Sequence, residues 1–333
     1  MGNYLQGQRK TPTQRKYVFN QVSLNNASPT ILGGAAPFPF GQIYKTMFLE
    51  FYLTLANTTG TGAIAEGELS IVKNILIKTD KHDILVNASG RSLFYRARKV
   101  MRTTPYKDAI AVTAKTYKIS IPIHFSNKQL RRPDDTGLDT AGVSSLDLQV
   151  TMGDVGDLLG SVGDAVVTCK LNVTVEKTLY GADASNMPIM QSYIVDLPPV
   201  DTASLQYFEL EKTMSLGLLD IMAFTTDAAL AGSKFSGTPA NDVVASWNFE
   251  DNIRQVFQNI TGDNIQFDNK DEYELETLPT GQYIFTFAKD KSVWSAYPVG
   301  GKSRVQLNWI NGANVTTPLQ VTALIDGVKT LNK

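Results

Sequence analysis

The sequence predicts an all-β chain built as two sandwiches in tandem. Three observations carry that expectation. The length of 333 residues suits two domains of about 150 residues each. Short β-branched and aromatic runs follow one another, parted by Gly, Pro and Asn turns. Helical periodicity appears in only two stretches, one in each half. Hydrophobic residues make up 43% of the chain, enough for two cores, while charged residues make up 19%, below the roughly 25% of an average soluble domain. Ser, Thr, Asn and Gly fill the difference, a mix that suits strands with polar outer faces.

Residues 1–20 read as a flexible basic arm. It holds Arg9, Lys10, Arg15 and Lys16, no acidic residue and no core-forming pattern. Residues 21–180 read as the first sandwich, with the strand signal already starting at Tyr17-Val18-Phe19. Prolines in Pro37-Phe38-Pro39 exclude a central strand there. Residues 43–56 form a long apolar run closed by the turn at 57–62. Strands are expected at 69–78 and 83–86. Alternation with period two marks Tyr117, Ile119, Ile121 and Ile123, then Leu146, Leu148 and Val150, then Leu171, Val173 and Val175. Residues 181–200, with Gly181, Pro188, Pro198 and Pro199, read as a linker. Residues 201–333 read as the second sandwich, with strands at 216–225, 282–288, 303–309 and 319–324.

The spacing predicts a helix over 91–102, with Leu93, Phe94, Ala97, Val100 and Met101 on one side. Arg91, Arg98 and Arg102 share the other side with Tyr95, and Lys99 flanks them. That basic face is expected to be solvated, or to meet phosphates or a neighbour's acids. A second helix is expected over 250–261, striped by Phe249, Ile253, Val256, Phe257 and Ile260, with Asn248 as N-cap and Gly262 as its stop. Two such units, each with one conspicuous helix, narrow the fold to two tandem eight-stranded jelly rolls, a double jelly roll.

Catalytic and metal chemistry finds little material. The net charge is −1, from 31 basic and 32 acidic residues, so broad neutralisation of nucleic acid is not expected. Cys169 is the only cysteine and His82 and His124 the only histidines, too few for a four-ligand zinc site. Cys169 reads as a small buried hydrophobe. No apolar run reaches the length of a membrane span or follows Met1 as a leader would. Gly300-Gly301-Lys302-Ser303 resembles the end of a phosphate loop, but a strand, not a helix, is expected to follow. Asp154, Asp157 and Asp164 sit in a glycine-rich stretch where hard oxygen ligands for calcium are conceivable, and ordinary turn chemistry is the simpler account. Asp263, Asp268 and Asp271 are expected in a similar acidic loop. No catalytic, cofactor or metal residue is assigned.

Several stretches resemble the double jelly-roll major capsid proteins of tailless icosahedral, often membrane-containing viruses, the lineage of adenovirus and several bacteriophages. They are Lys16-Tyr17-Val18-Phe19 followed by Ile43-Tyr44-Lys45-Thr46-Met47-Phe48-Leu49, Ile71-Val72-Lys73-Asn74-Ile75 leading to Leu93, and Ile119-Ser120-Ile121-Pro122-Ile123. In the second half they are Leu278-Pro279-Thr280-Gly281-Gln282-Tyr283 and Gln320-Val321-Thr322-Ala323-Leu324-Ile325. The resemblance spans nearly the whole chain and its motifs are loose. It implies homotrimers of hexagonal outline, neighbouring capsomers, minor capsid or penton proteins and, in the lipid-containing members, an internal membrane as partners. It implies no enzyme, no cofactor and no sequence-specific nucleic acid, and a place in the virion capsid after synthesis in the host cytoplasm. The arm residues Arg9, Lys10, Arg15 and Lys16 and the helix residues Arg91, Arg98 and Arg102 are the expected assembly or inner-face contacts. The alternative from the residues alone is a tandem-sandwich glycan-binding or spike protein using loop aromatics such as Trp294 and Tyr297. A jelly-roll glycan-active enzyme would need a carboxylate pair of split pKa.

Overall fold

The computed structural model describes residues 13–26, 28–34, 38–56, 61–79, 83–111, 113–141, 143–178, 191–201, 205–210, 216–227, 238–252, 254–274, 279–312 and 320–329. The first half supplies β1 (Thr13–Leu24), β2 (Thr30–Gly34), β3 (Ile43–Ala56), β4 (Val72–Thr79), β5 (Ile84–Ala88), β6 (Lys115–His124), β7 (Leu146–Met152) and β8 (Val166–Thr178). They form two antiparallel layers, ordered β1-β8-β3-β6 and β2-β7-β4-β5. The second half supplies β9 (Gln191–Asp201), β10 (Tyr207–Glu209), β11 (Leu216–Asp227), β12 (Val244–Asp251), β13 (Gln255–Thr261), β14 (Gln282–Thr286), β15 (Val305–Asn311) and β16 (Gln320–Lys329). Its layers are β9-β16-β11-β14 and β10-β15-β12-β13. The second order is the first with every strand advanced by eight. Both halves are therefore wound alike, as jelly rolls.

Alternation builds each core. On β3, Met47, Leu49, Phe51, Leu53 and Leu55 point inward and are buried. Their ladder partners on β8 include Leu171 and Val173, and on β6 Ile119 and Ile121, so each rung adds apolar surface to one interior. The second core is more aromatic. Trp247 meets Trp309, Tyr283 and Phe285 at centroid distances of 5.8, 5.4 and 5.4 Å, within the range of favourable ring packing. The rolls also share a sheet: β9 runs parallel to β5, with Ile194 opposite Val86 and Val195 opposite Asn87. That contact fuses a layer of each roll into one sheet, ten-stranded once the two-residue strands Thr238–Pro239 and Tyr297–Pro298 beside β11 are counted.

Helix α1 (Gly67–Ser70) precedes β4, α2 (Gly90–Met101) joins β5 to β6, and α3 (Gly262–Tyr273) joins β13 to β14. The last two occupy the same place in their rolls. Each starts on a hydroxyl cap, Ser89 accepting from the Ser92 N–H and Thr261 from the Asn264 N–H, which satisfies an orphan donor. Each ends on a left-handed residue, Arg102 at φ 58° and Glu274 at φ 51°.

Four expectations change. The helix over 250–261 is instead the end of β12, a tight turn and β13, and the helix starts at Gly262. Asp251 Oδ1 accepts the Arg254 N–H at 3.0 Å, a local turn bond that reverses the chain, so Asn248 lies inside β12 and caps nothing. The stretch read as a linker is a strand from Gln191 onward; Tyr193-Ile194-Val195 pair with β16, and Pro198-Pro199 fall at a register shift between Leu197 and Val200, where missing N–H groups are tolerated. Residues 181–190 lie outside the described residues. The segment read as a free arm is already β1 from Thr13, with Arg15 opposite Glu176 and Lys16 opposite Val175. The first roll also has a second helix, the single turn α1.

Candidate functional site: a charged seam between the rolls

Helix α2 buries Leu93, Phe94, Ala97 and Val100, as its apolar spacing requires. Two of its charged residues are buried as deeply: Arg96 and Lys99 are each 1% exposed. Arg96 Nη2 donates to Asp326 Oδ1 of β16 at 3.0 Å, and its Nε lies 2.9 Å from Asp326 Oδ2 as an ion pair, a charge-assisted contact. Lys99 Nζ lies 2.5 Å from Asp220 of β11 and 3.1 Å from Asp326. The Tyr273 hydroxyl at the end of α3 donates to Asp220 Oδ1 at 3.1 Å. Two cations from one roll thus meet two carboxylates from the other with no charge left over.

Burial alone would pull the Lys99 ammonium down; Asp220 and Asp326 outweigh it and hold its pKa above the ordinary value. Burial would likewise raise Asp326, and Arg96 and Lys99 reverse that and hold it low. The charged forms therefore persist in the interior. At the other end of α2 a third carboxylate, Asp196 of β9, accepts the Ser89 N–H at 2.7 Å, where the positive helix end favours an anion. Its Oδ1 atom is buried without a partner, and burial pushes its pKa up to about 6 against the Ser89 and Ser92 hydrogen bonds. Arg91 pairs with Glu66 at 2.7 Å and lies 5.8 Å from the Phe224 ring, which Tyr95 also meets at 5.9 Å. Phe224, Met222, Ile284 and Leu324 of the second roll pack into the first roll's core cluster.

The expected basic helix face is thus not a solvated one. Arg91 is buried, Arg98 is half-buried, and Arg102 is exposed beside Glu274 at 2.6 Å. The acids they were expected to meet on a neighbour are supplied largely by the chain itself. Arg15 lies 4.3 Å over the Phe48 ring and Lys16 is exposed on β1; Arg9 and Lys10 lie outside the described residues. The two groups are not brought together. β1 is one edge of its layer, and α2 leans on the opposite edge, where Arg96 Nη1 donates to the His124 carbonyl at 2.9 Å. Sequence reasoning passed over Arg96, Asp196, Asp220 and Asp326. The last two stand in Leu219-Asp220-Ile221 and Ile325-Asp326-Gly327, and a lone acid in an apolar strand was the signal available.

The remaining chemistry resolves into structural roles. Asp154 and Asp157 cap one turn reciprocally, and Asp157 also takes the Lys73 amine. Asp263, Asp268 and Asp271 lie on α3, not in a loop. Among the described residues, no three His, Cys, Asp or Glu side chains converge on a metal-sized site. Cys169 is buried, its thiol pushed up to about 12 by desolvation. His124 is buried with Nδ1 3.1 Å from Thr46 Oγ1, and burial with Arg96 and Lys128 nearby pulls its pKa down to about 3. His82 lies outside the described residues. Lys302 bonds to Asp251, and Gly301 at φ 75° turns the chain into β15, so no phosphate-binding helix follows. Trp294 is 64% exposed, whereas Tyr297 bonds to Asp251 through its hydroxyl and packs its ring against Phe249 and Phe287.

No family model and no curated protein matches the chain. Solved structures do. The major capsid protein P2 of bacteriophage PM2 aligns over 97% of this chain and 99% of its own, at TM-score 0.63 and 11% identity. The STIV major capsid protein aligns over 96% and 97%, at TM-score 0.70 and 12% identity. The Faustovirus major capsid protein aligns over 96% and 90%, at TM-score 0.59 and 6% identity. At such identities the likeness establishes the fold, a double jelly roll over at least 96% of this chain and 90% of each neighbour. The glycan-binding alternative gains no support from these neighbours.

Proposed function

We propose that this chain is the major capsid protein of an icosahedral virus, a structural subunit and not an enzyme, located in the virion capsid. The carrying observation is the seam. Four buried charges and a shared sheet hold two like-wound rolls at one fixed angle, so a single chain presents two similar blocks as one rigid tile. Three such chains around an axis give six similar blocks, the hexagonal outline a shell needs for close tiling. Whole-length likeness to major capsid proteins of PM2, STIV and Faustovirus supports the reading.

The ends of the chain add orientation. Thr13 pairs with Thr178 and Gln191 with Lys329, while the Ser192 hydroxyl donates to the Phe125 carbonyl at 2.6 Å. The start of the first described strand and the end of the last therefore lie toward the same end of the double roll. That end is the inner face in our reading, and residues 1–12 are the arm that reaches minor capsid proteins, neighbouring capsomers or an internal membrane. Residues 13–178 and 191–329 are its two rolls.

Sedimentation and negative-stain microscopy of the purified protein test the reading. A stable trimer of hexagonal outline is expected. A monomer at every concentration and salt condition would overturn it.

A further inference from the structure

Resting on the capsid reading, we propose that helix α3 of one copy docks on the outer face of the β1-β8-β3-β6 layer of the next copy, repeating between chains, with charges reversed, the joint that α2 makes within the chain.

Counted from their first residues, α2 and α3 align without gaps. Both are 12 residues long, begin with Gly after a hydroxyl cap and end on a left-handed residue. Positions 4, 5 and 8 are buried in both: Leu93, Phe94 and Ala97 in one, Ile265, Gln266 and Asn269 in the other. The positions that α2 uses across the seam are Arg91, Tyr95, Arg96 and Lys99. Their counterparts on α3 are Asp263, Phe267, Asp268 and Asp271. Every cation has become an acid and the aromatic stays aromatic. All four α3 residues are exposed, Phe267 at 65%; a single exposed apolar side chain is ordinary, and it gains meaning here from its place among Asp263, Asp268 and Asp271 in the pattern that α2 uses.

The receiving layers are reversed in the same sense. Strands β9, β11, β14 and β16, which receive the basic α2, carry five acidic residues and one basic. Strands β1, β3, β6 and β8 carry seven basic residues and two acidic. On the outer face of that second layer, Arg15 lies over Phe48 and Lys118 over Tyr52, with Lys170 opposite Tyr52 on the ladder. Glu50 and Glu176 share the face, so the match is not of one sign throughout. The aromatics and cations nevertheless fit an acidic helix carrying one exposed Phe.

Sheet edges agree. Within the chain the joint brings β5 against β9. The strands in the corresponding places are β13 and β1, each at the end of its layer among the described residues. Each copy then offers one donor helix and one acceptor layer, a head-to-tail contact that closes into a ring. The charge pattern sets its direction: α3 against the acidic layer of another second roll would place like charges together.

The test reverses charges on exposed residues. Asp268→Lys with Asp271→Lys is expected to keep the circular dichroism and thermal midpoint of the wild type and to weaken the trimer by roughly a hundredfold or more. Phe267→Ala is expected to weaken it without any change of charge. Adding Arg15→Glu, Lys118→Glu and Lys170→Glu to the double-lysine chain is expected to restore the trimer. If the double-lysine chain and Phe267→Ala both assemble like wild type, this joint is wrong while the capsid reading stands. If the wild-type chain never trimerises, both fall.

Discussion

Replacing Asp326 with alanine would leave two buried cations, Arg96 and Lys99, facing one carboxylate, Asp220. Asp326 faces three cationic nitrogens at 2.9, 3.0 and 3.1 Å, two of them hydrogen-bonded to it, and its side chain, like those of Arg96 and Lys99, is 1% exposed. Water cannot reach the surplus charge without opening the seam. Breaking one partner out of such a group costs about 3–5 kcal/mol, a large share of the roughly 5–15 kcal/mol that holds a domain folded. Urea unfolding followed by fluorescence reads the second roll directly, because Trp247 and Trp309 sit in its core. We expect the transition to move to lower urea by an amount equivalent to that cost. A chain with Arg96→Met, Lys99→Met, Asp220→Leu and Asp326→Leu removes all four charges together and should lie far closer to wild type, because the desolvation penalty disappears with the charges. An Asp326→Ala protein within about 1 kcal/mol of wild type would refute the account of the seam as a balanced buried network.

His124 holds its folded pKa near 3, against 6.5 ordinarily, so the unfolded chain takes up a proton that the folded one refuses. Its contribution is present above pH 6.5 and lost as pH falls toward 3; His124→Gln should flatten thermal stability over that window, and an unchanged slope would count against it. Asp196 runs the other way, with a folded pKa near 6 against 3.8. Its contribution is full below pH 3.8 and lost as pH rises through 6, so Asp196→Asn should gain stability over wild type above pH 6 and show no advantage below pH 4 in calorimetry. Deleting residues 1–12 should leave the thermal midpoint intact and impair shell formation, whereas deleting 1–20 should also destabilise the first roll, since Thr13 to Asn20 belong to β1; equal melting of the two truncations would argue against that boundary.

The strands were legible because one face of each is buried and the other wet, which prints period two on the residues, as in Leu146, Leu148 and Val150. Helix α2 was legible for the matching reason at period 3.6. Helix α3 was not. Its inward positions include Gln266 and Asn269, and Asn269 exchanges two hydrogen bonds with the Ile284 backbone, both at 2.8 Å. A helix that closes a strand edge by polar contacts leaves no apolar stripe to find. Of the expected stripe, Val256, Phe257 and Ile260 lie on a strand containing Asn259 at φ 51°, where a bulge shifts the alternation, and Ile253 lies outside the described residues. The seam was hidden by distance along the chain. Arg96 and Asp326 are 230 positions apart, and the charges of α2 looked solvated because nothing local opposes them.

The parallel contact of β5 with β9 has a mechanical consequence. Bending one roll against the other would shear backbone hydrogen bonds in a continuous sheet and pull Arg96 and Lys99 away from their acids, so the contacts among the described residues oppose hinging between the rolls. A curved surface made from such units must take up its curvature at the contacts between molecules, with each molecule itself staying flat.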